Sequence, residues 1–138
     1  MLPLASAPSA RLDPAPTIDV VSELDACEVA RDLVAALGRP LVALLTDVSD
    51  TRVVRSWEEA GVEPKGRREA ILRYALQTTH ILLTRFDARV AQRWFVGGNS
   101  SLGDDAPSAV LRTILDDHSR ADQVGPRVLN AARAFVNR

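Results

Sequence analysis

The chain has 138 residues, of which 46% are hydrophobic, 25% are charged and 4% are aromatic, and its formal net charge is −1. This length suits one or two small domains, and no apolar run approaches the roughly 20 residues that a membrane-spanning helix needs, so we expect no integral membrane protein. The single cysteine, Cys27, excludes an internal disulfide and a multi-cysteine zinc site, which favours a reducing, cytoplasmic compartment.

Positive charge is concentrated in the middle of the chain. Residues 1–50 hold three arginines against eight acidic residues, residues 51–100 hold nine basic against five acidic residues, and the remainder is balanced. A basic face on a nearly neutral protein attracts phosphate locally, whereas steering of nucleic acid by the whole molecule is weak.

The first 20 residues form a segment rich in proline and alanine, with four prolines within its first 16 positions. Proline interrupts the helical hydrogen-bond ladder, so we expect a flexible tail here. From Ser22 to Leu37 apolar residues recur at spacings of three and four, which predicts a first helix. Ser22 and Asp25 are its start signals, and Gly38 is its stop.

Two short helices follow, joined by a tight polar turn. Pro40 opens the first, and Ser49 or Asp50 caps the second, which we expect to run from Thr51 to Ala60 and to end at Gly61. Its predicted inward residues are Val53, Val54 and Trp57.

The rest of the chain is also predicted to be helical. The expected helices are residues 67–86 with one apolar stripe, residues 87–96, residues 107–115, and a last helix that starts near Pro126 and ends around Val136. No period-two stretch with hairpin glycines appears, so the predicted fold class is all-α. We expect a helix-turn-helix-like domain at residues 21–86, packed on a smaller helical domain at residues 87–138.

The pair of short helices has the layout of a DNA-binding helix-turn-helix, in which the second helix enters the major groove. Its outward side chains include two arginines, which can form two-pronged bonds with guanine or phosphate. The predicted DNA-binding residues are Thr51, Arg52, Arg55 and Ser56, with Lys65, Arg67 and Arg68 against the DNA backbone. The alternative is a plain helical packing unit with solvated arginines, since Asp50, Glu58 and Glu59 repel phosphate.

Residues 91–113 predict a compact helix-loop-helix corner, with an aromatic-ended helix, a Gly-Gly-Asn turn and a helix opened by proline. This string resembles the toxin-binding C-terminal domain of the MbcA/ParS/Xre antitoxin family. The positions that carry the resemblance are Trp94, Asn99, Leu102, Gly103, Pro107, Leu111 and Thr113. Upstream, Trp57-Glu58, Gly61 and Pro64 resemble the end of the recognition helix of the Xre-like helix-turn-helix that the family usually carries.

The resemblance implies a type II antitoxin that oligomerises, sequesters a RES-domain toxin that degrades NAD, and represses its own operon through the helix-turn-helix half. The toxin-binding residues that it implies are Trp94, Asn99 and Leu102, together with the last helix, where Arg133 and Arg138 are suited to an anionic pocket of the toxin.

A second interpretation is a stand-alone helix-turn-helix transcriptional regulator, in which the C-terminal half serves only for dimerisation. We expect no enzymatic activity, because no nucleophile, base and orienting group form a recognisable trio. His80 and His118 are 38 residues apart without a shared ligand pattern, so we expect no metal, and no cofactor motif is present. Cys27 is predicted to be a small core residue.

Overall fold

A computed structural model of the chain describes Val21 and residues 23–138, and within them it contains seven α-helices and no strand. The predicted all-α fold class is confirmed for this part of the chain, whereas the expected tail and Ser22 lie outside the described residues. The helices are α1 (Ala26–Leu37), α2 (Arg39–Thr46), α3 (Thr51–Glu59), α4 (Gly66–Leu83), α5 (Ala88–Val96), α6 (Pro107–Arg112) and α7 (Ala121–Val136). Short 3-10 turns cover Ser100–Leu102, Thr113–Leu115 and His118–Arg120.

Helix α1 begins and ends at the residues that its local sequence favours. Asp25 and Glu28 form a reciprocal capping box, in which the N–H of Glu28 donates to the Asp25 carboxylate at 2.8 Å and the N–H of Asp25 donates to the Glu28 carboxylate at 3.1 Å. Gly38 ends the helix with a φ of 89°, a conformation that favours glycine.

Helices α2 and α3 form a helix-turn-helix unit with residues 47–50 as the turn. Asp47 takes the left-handed conformation, and Asp50 caps α3 by accepting the N–H of Arg52 at 2.8 Å. Val54 and Trp57 are buried as predicted, but Val53 is 40% exposed, so the prediction that it faces inward is wrong. Val53 lies about 100° around the helix from Val54, at the edge of the buried stripe.

Helix α4 is surrounded by other helices, because α1 packs on one side and α7 on the other. The sequence predicted one apolar stripe on this helix, but more of α4 is buried, because Leu72, Leu76 and Thr79 lie in the core as well. The Thr78 and Thr79 hydroxyls donate to the carbonyls one turn earlier, at 2.7 and 2.8 Å, so these polar groups are satisfied inside the core. The helix ends at Leu83, earlier than expected.

Helix α7 starts five residues before Pro126, so the predicted start is wrong. Pro126 is exposed inside the helix, while its neighbour Gly125 is buried against the ring of Tyr74. The helix predicted for residues 107–115 divides into α6 and a 3-10 turn at Thr113.

One hydrophobic cluster extends across the predicted boundary at residue 86, from Val21 to Ala132. Two contacts also cross that boundary: Arg112 pairs with Asp47 at 3.1 Å, and Arg67 donates to the main-chain oxygen of Leu115. The two-domain division stays a prediction.

Among the described helices, none is both long and apolar enough to cross a membrane.

Candidate functional site

The loop between α5 and α6 is a tight corner held by its own main chain. Asn99 is its centre: its side-chain oxygen accepts the N–H of Ser101 at 2.9 Å, and its main-chain oxygen accepts the N–H groups of Leu102 and Asp104, each at 2.9 Å. A Cβ at Gly98 would lie 2.9 Å from the Asp104 carbonyl oxygen, so this close approach requires glycine. The corner is therefore preorganised.

A groove with a volume of about 530 Å³ lies where this corner meets α5 and the end of α7. Its wall combines aromatic, cationic and polar side chains, namely Trp94, Phe135, Arg93, Arg138, Asn99 and Asp104. Of the predicted toxin-binding residues, Trp94, Asn99 and Arg138 are thus brought together at one place.

The Trp94 ring forms one wall of the groove and is 93% buried, with 7% of its surface exposed. It packs edge-to-face on Phe95 with ring centroids 5.4 Å apart, and its centroid lies 6.4 Å from that of Phe135. Its Nε1 is buried without an acceptor in the part of the chain that the structure describes. The ring is therefore held by aromatic packing and not by a hydrogen bond in this part of the chain.

Arg138 lies along the groove with its guanidinium carbon 5.5 Å from the centroid of the Phe135 ring. Arg85 holds this end of the chain, because its guanidinium donates to the main-chain oxygens of Val136 and Arg138 at 2.6 and 2.8 Å. Arg133 lies elsewhere on the exposed surface of α7 and donates to the Asn130 side chain at 3.0 Å. It does not line the groove.

Leu102 is only 2% exposed and belongs to the hydrophobic core. The expectation that its side chain faces a partner is therefore revised, because a buried leucine shapes the corner from inside instead of contacting another protein. Sequence reasoning missed Arg93 and Phe135. Arg93 is an exposed residue next to Trp94 on α5, and this neighbourhood was a usable signal, whereas Phe135 reaches the groove only through tertiary packing.

The predicted DNA-binding residues of α3 lie largely on its exposed face. Thr51, Arg52 and Arg55 are exposed and Ser56 is half-buried, with its hydroxyl donating to the carbonyl of Val53 at 2.6 Å. Arg52 is paired with the capping carboxylate of Asp50 at 2.7 Å, and hydrogen bonds from its side chain and N–H lower the pKa of Asp50. Arg55 has no ion pair or hydrogen-bonded side chain among the described residues.

At the start of α4, Lys65, Arg67 and Arg68 are exposed, but two of them are bonded to other elements. Arg68 donates to the main-chain oxygen of Thr46 at 3.0 Å, and Arg67 donates to that of Leu115. Arg68 therefore ties α4 to the helix-turn-helix unit and Arg67 ties α4 to the 3-10 turn at Thr113–Leu115, whereas the Lys65 ammonium has no partner in the described part.

The acidic residues at the end of α3 are engaged by Arg39 of α2. Its guanidinium lies 2.6 Å from the Glu58 carboxylate and 3.1 Å from that of Glu59, and the hydrogen bond with Glu58 raises the pKa of Arg39. The expected repulsion of phosphate by these two carboxylates is reduced by this pairing. No local pattern pointed to it, because the partners are 19 and 20 residues apart.

Cys27 lies on the buried face of α1, as predicted for a small core residue. Cys27 is buried, its thiol lies 3.6 Å from the carbonyl oxygen of Val62, and burial raises the pKa of the thiol, followed by the charges of Asp25 and Glu63. Within the described residues, no group of three or more His, Cys, Asp or Glu is placed to hold a metal ion.

No protein-family model, curated protein or solved structure matches this chain.

Proposed function

We propose that this protein is a type II antitoxin, without enzymatic activity of its own, that binds and neutralises a RES-domain toxin in the cytoplasm. The observation that carries the proposal is the groove that brings Trp94, Asn99 and Arg138 together at a rigid corner. Four of the residues that carry the resemblance to the MbcA/ParS/Xre family, namely Trp94, Asn99, Leu102 and Gly103, lie in or beside this corner. Oligomers of the chain, alone or with the toxin, belong to the same proposal.

Two features of the corner suit it to a protein partner. Its loop is fixed by internal hydrogen bonds around Asn99, so little conformational entropy is lost on binding. Its cations, Arg93 and Arg138, have no acidic partner within the described residues, so their charge is available to a partner.

The test is co-expression of the chain with a tagged RES-domain toxin encoded beside its gene. We expect the two proteins to copurify and cellular NAD to be preserved, whereas Arg138→Ala and Asn99→Ala reduce both effects. Arg55→Ala is the matched control, because Arg55 is exposed on α3, away from the groove. We expect this variant to neutralise the toxin as well as the parent chain does. Absence of copurification together with unprotected NAD refutes the proposal.

Point substitutions are needed here instead of truncation of the last helix. Residues 127–138 include Val128, Leu129, Ala131 and Ala132, all of which are buried, so their deletion removes part of the core. Loss of toxin binding after such a deletion reports unfolding as much as loss of contact.

The second candidate function is that of a stand-alone regulator that binds operator DNA through the helix-turn-helix unit, which in the antitoxin proposal serves autoregulation. It is favoured by the exposure of Arg55 and Lys65 without partners among the described residues and by the pairing of Glu58 and Glu59 with Arg39.

Gel-shift titration against the DNA upstream of its gene tests this second function. We expect Arg55→Ala and Lys65→Ala to weaken binding. The binding constant falls as salt rises, and each lost phosphate contact makes the plot of log binding constant against log salt less steep by about 1. Arg138→Ala is the control that retains DNA binding. DNA binding that is unchanged in Arg55→Ala and weakened in Arg138→Ala contradicts this assignment.

A further inference from the structure

The geometry points to the groove at the corner as a receptor for an acidic peptide segment, in which a carboxylate lies between Arg93 and Arg138 and an adjacent apolar side chain packs against the half-buried Val90 and the exposed edge of Phe135. This inference rests on the proposed function, in which the corner engages another protein, and it names the chemistry that the partner must present. The groove volume of about 530 Å³ is in the range of sites that enclose small ligands.

Charge favours a carboxylate as the occupant. Arg93 and Arg138 line the groove without acidic partners in the described part, and they outnumber the one lining carboxylate, Asp104. Arg89 adds a further exposed cation one turn before Arg93, while the nearby carboxylate of Asp87 is occupied as the cap of α5. Guanidinium groups bind carboxylates through paired hydrogen bonds, so an acidic side chain complements this surface.

The groove is poorly suited to a nucleotide, because its aromatic ring surfaces are already in contact with other groups. Phe135 contacts the Phe86 ring with centroids 4.9 Å apart, the Trp94 ring, and the Arg138 guanidinium at 5.5 Å. Recognition of a nucleotide base needs an aromatic face on which the base stacks.

Phosphate is disfavoured for a separate reason. Compact phosphate sites use several free main-chain N–H groups, whereas the N–H groups of residues 101–105 and of Asn99 all bond within the corner itself. The N–H groups of Gly98 and Ser100, which line the groove on either side of the bonded Asn99, make no hydrogen bond in the described part, so the donors left for a ligand include these two N–H groups beside the two guanidinium groups. Such a set suits a carboxylate beside a peptide group.

Fluorescence of the full chain tests the inference without any toxin. The protein contains two tryptophans, so Trp57→Phe leaves Trp94, at the groove wall, as the reporter. The probes are acetyl-Leu-Asp-amide and its neutral counterpart acetyl-Leu-Asn-amide, titrated at constant ionic strength. We expect saturable binding that is roughly fivefold or more tighter for the acidic probe, as two exposed ion pairs predict.

The paired variant Arg93→Ala/Arg138→Ala should lose this discrimination. Arg120→Ala/Arg127→Ala should keep it, because both residues are exposed arginines that do not line the groove. Far-UV circular dichroism verifies that each variant is folded. The inference is overturned by the absence of saturable binding, by equal binding of the two probes, or by inorganic phosphate that displaces the acidic probe at equal concentration.

The same measurements separate this inference from the proposed function. If the toxin copurifies but the groove does not bind the acidic probe selectively, the antitoxin function stands and the inference about the groove is refuted. If the acidic probe binds selectively but no toxin copurifies, the inference about the groove stands and the antitoxin function is refuted.

Discussion

At the residue scale, neighbours in one sequence motif have different physical roles. Asn99 organises the corner through hydrogen bonds, Trp94 forms a wall of the groove, and Leu102 fills the core beneath it. The sequence motif groups them because they occur together along the chain. Their burial separates residues that a partner contacts from residues that keep the contact surface in shape.

Leu102→Ala should therefore act first on stability. Removal of a side chain that is 2% exposed leaves a cavity, and we expect the free energy of unfolding to fall by about 2–5 kcal/mol in urea denaturation. Leu44→Ala is the control, since Leu44 is 42% exposed and its truncation should cost less than about 0.5 kcal/mol. Equal losses for the two variants contradict the assignment of Leu102 to the core.

The effect of Gly125→Ala on the free energy of unfolding should depend on whether the Tyr74 ring is present. A Cβ at Gly125 overlaps the Tyr74 ring, so Gly125→Ala should destabilise the protein by about 1–3 kcal/mol in spite of the better helix propensity of alanine. In a Tyr74→Ala background the overlap is absent, and the same change should stabilise α7 by up to about 1 kcal/mol. A double-mutant cycle by thermal or urea denaturation measures this reversal, and additive effects contradict it.

At the scale of elements, helix ends were predictable where the signal is local. Gly38, Asp50 and Asp87 mark ends that lie within a residue of the predicted ones, because cap hydrogen bonds and left-handed glycines involve only adjacent residues. The start of α1 is at Ala26, four residues after the predicted start at Ser22, because Asp25 and not Ser22 is the cap. The start of α7 was missed because Pro126 has the pattern of a first-turn proline, and whether the helix extends before it depends on packing against α4.

Three capping carboxylates also make stability depend on pH: Asp25, Asp50, and Asp117, which caps the 3-10 turn at His118–Arg120. Hydrogen bonds from main-chain N–H groups and neighbouring side chains lower the pKa of Asp25, Asp50 and Asp117 in the folded chain, below the ordinary value of 3.8. The contribution of a carboxylate with a lowered pKa is complete above its unfolded value and is lost as the pH falls through the folded value. Stability from these caps should thus be constant near neutrality and decline below about pH 4.

Asp25→Asn tests this dependence, because asparagine still caps a helix but does not titrate. We expect the variant to show a shallower fall in melting temperature between pH 5 and pH 3 than the parent chain, measured by circular dichroism. Asp105→Asn is the matched control, since the Asp105 carboxylate has no hydrogen bond or ion pair within the described residues. If the melting temperature of Asp25→Asn falls between pH 5 and pH 3 as steeply as that of the parent chain, the Asp25 cap does not contribute to the pH dependence.

At the scale of the whole molecule, the all-α class and the exposed α3 surface followed from periodicity, but the groove did not. It requires Trp94 of α5 and Phe135 of α7, which are 41 positions apart and meet only when both helices pack in the core. The pairs Arg39–Glu58 and Arg112–Asp47 were also out of reach, because surface charges give no pattern that identifies partners 19 or 65 residues away.

The hydrophobic cluster shared across residue 86 leads to a prediction about cooperativity. Since α4 packs against α7 and the cluster has members on both sides, the two predicted domains should unfold in one transition. Trp57 reports on the first domain and Trp94 on the second, so the variants Trp94→Phe and Trp57→Phe each isolate one reporter. For each variant, we expect the urea midpoint by fluorescence to coincide with its own midpoint by circular dichroism. In either variant, fluorescence that changes well before the loss of helix shows that residues 21–86 and 87–138 unfold separately, and the two-domain division is then the better description.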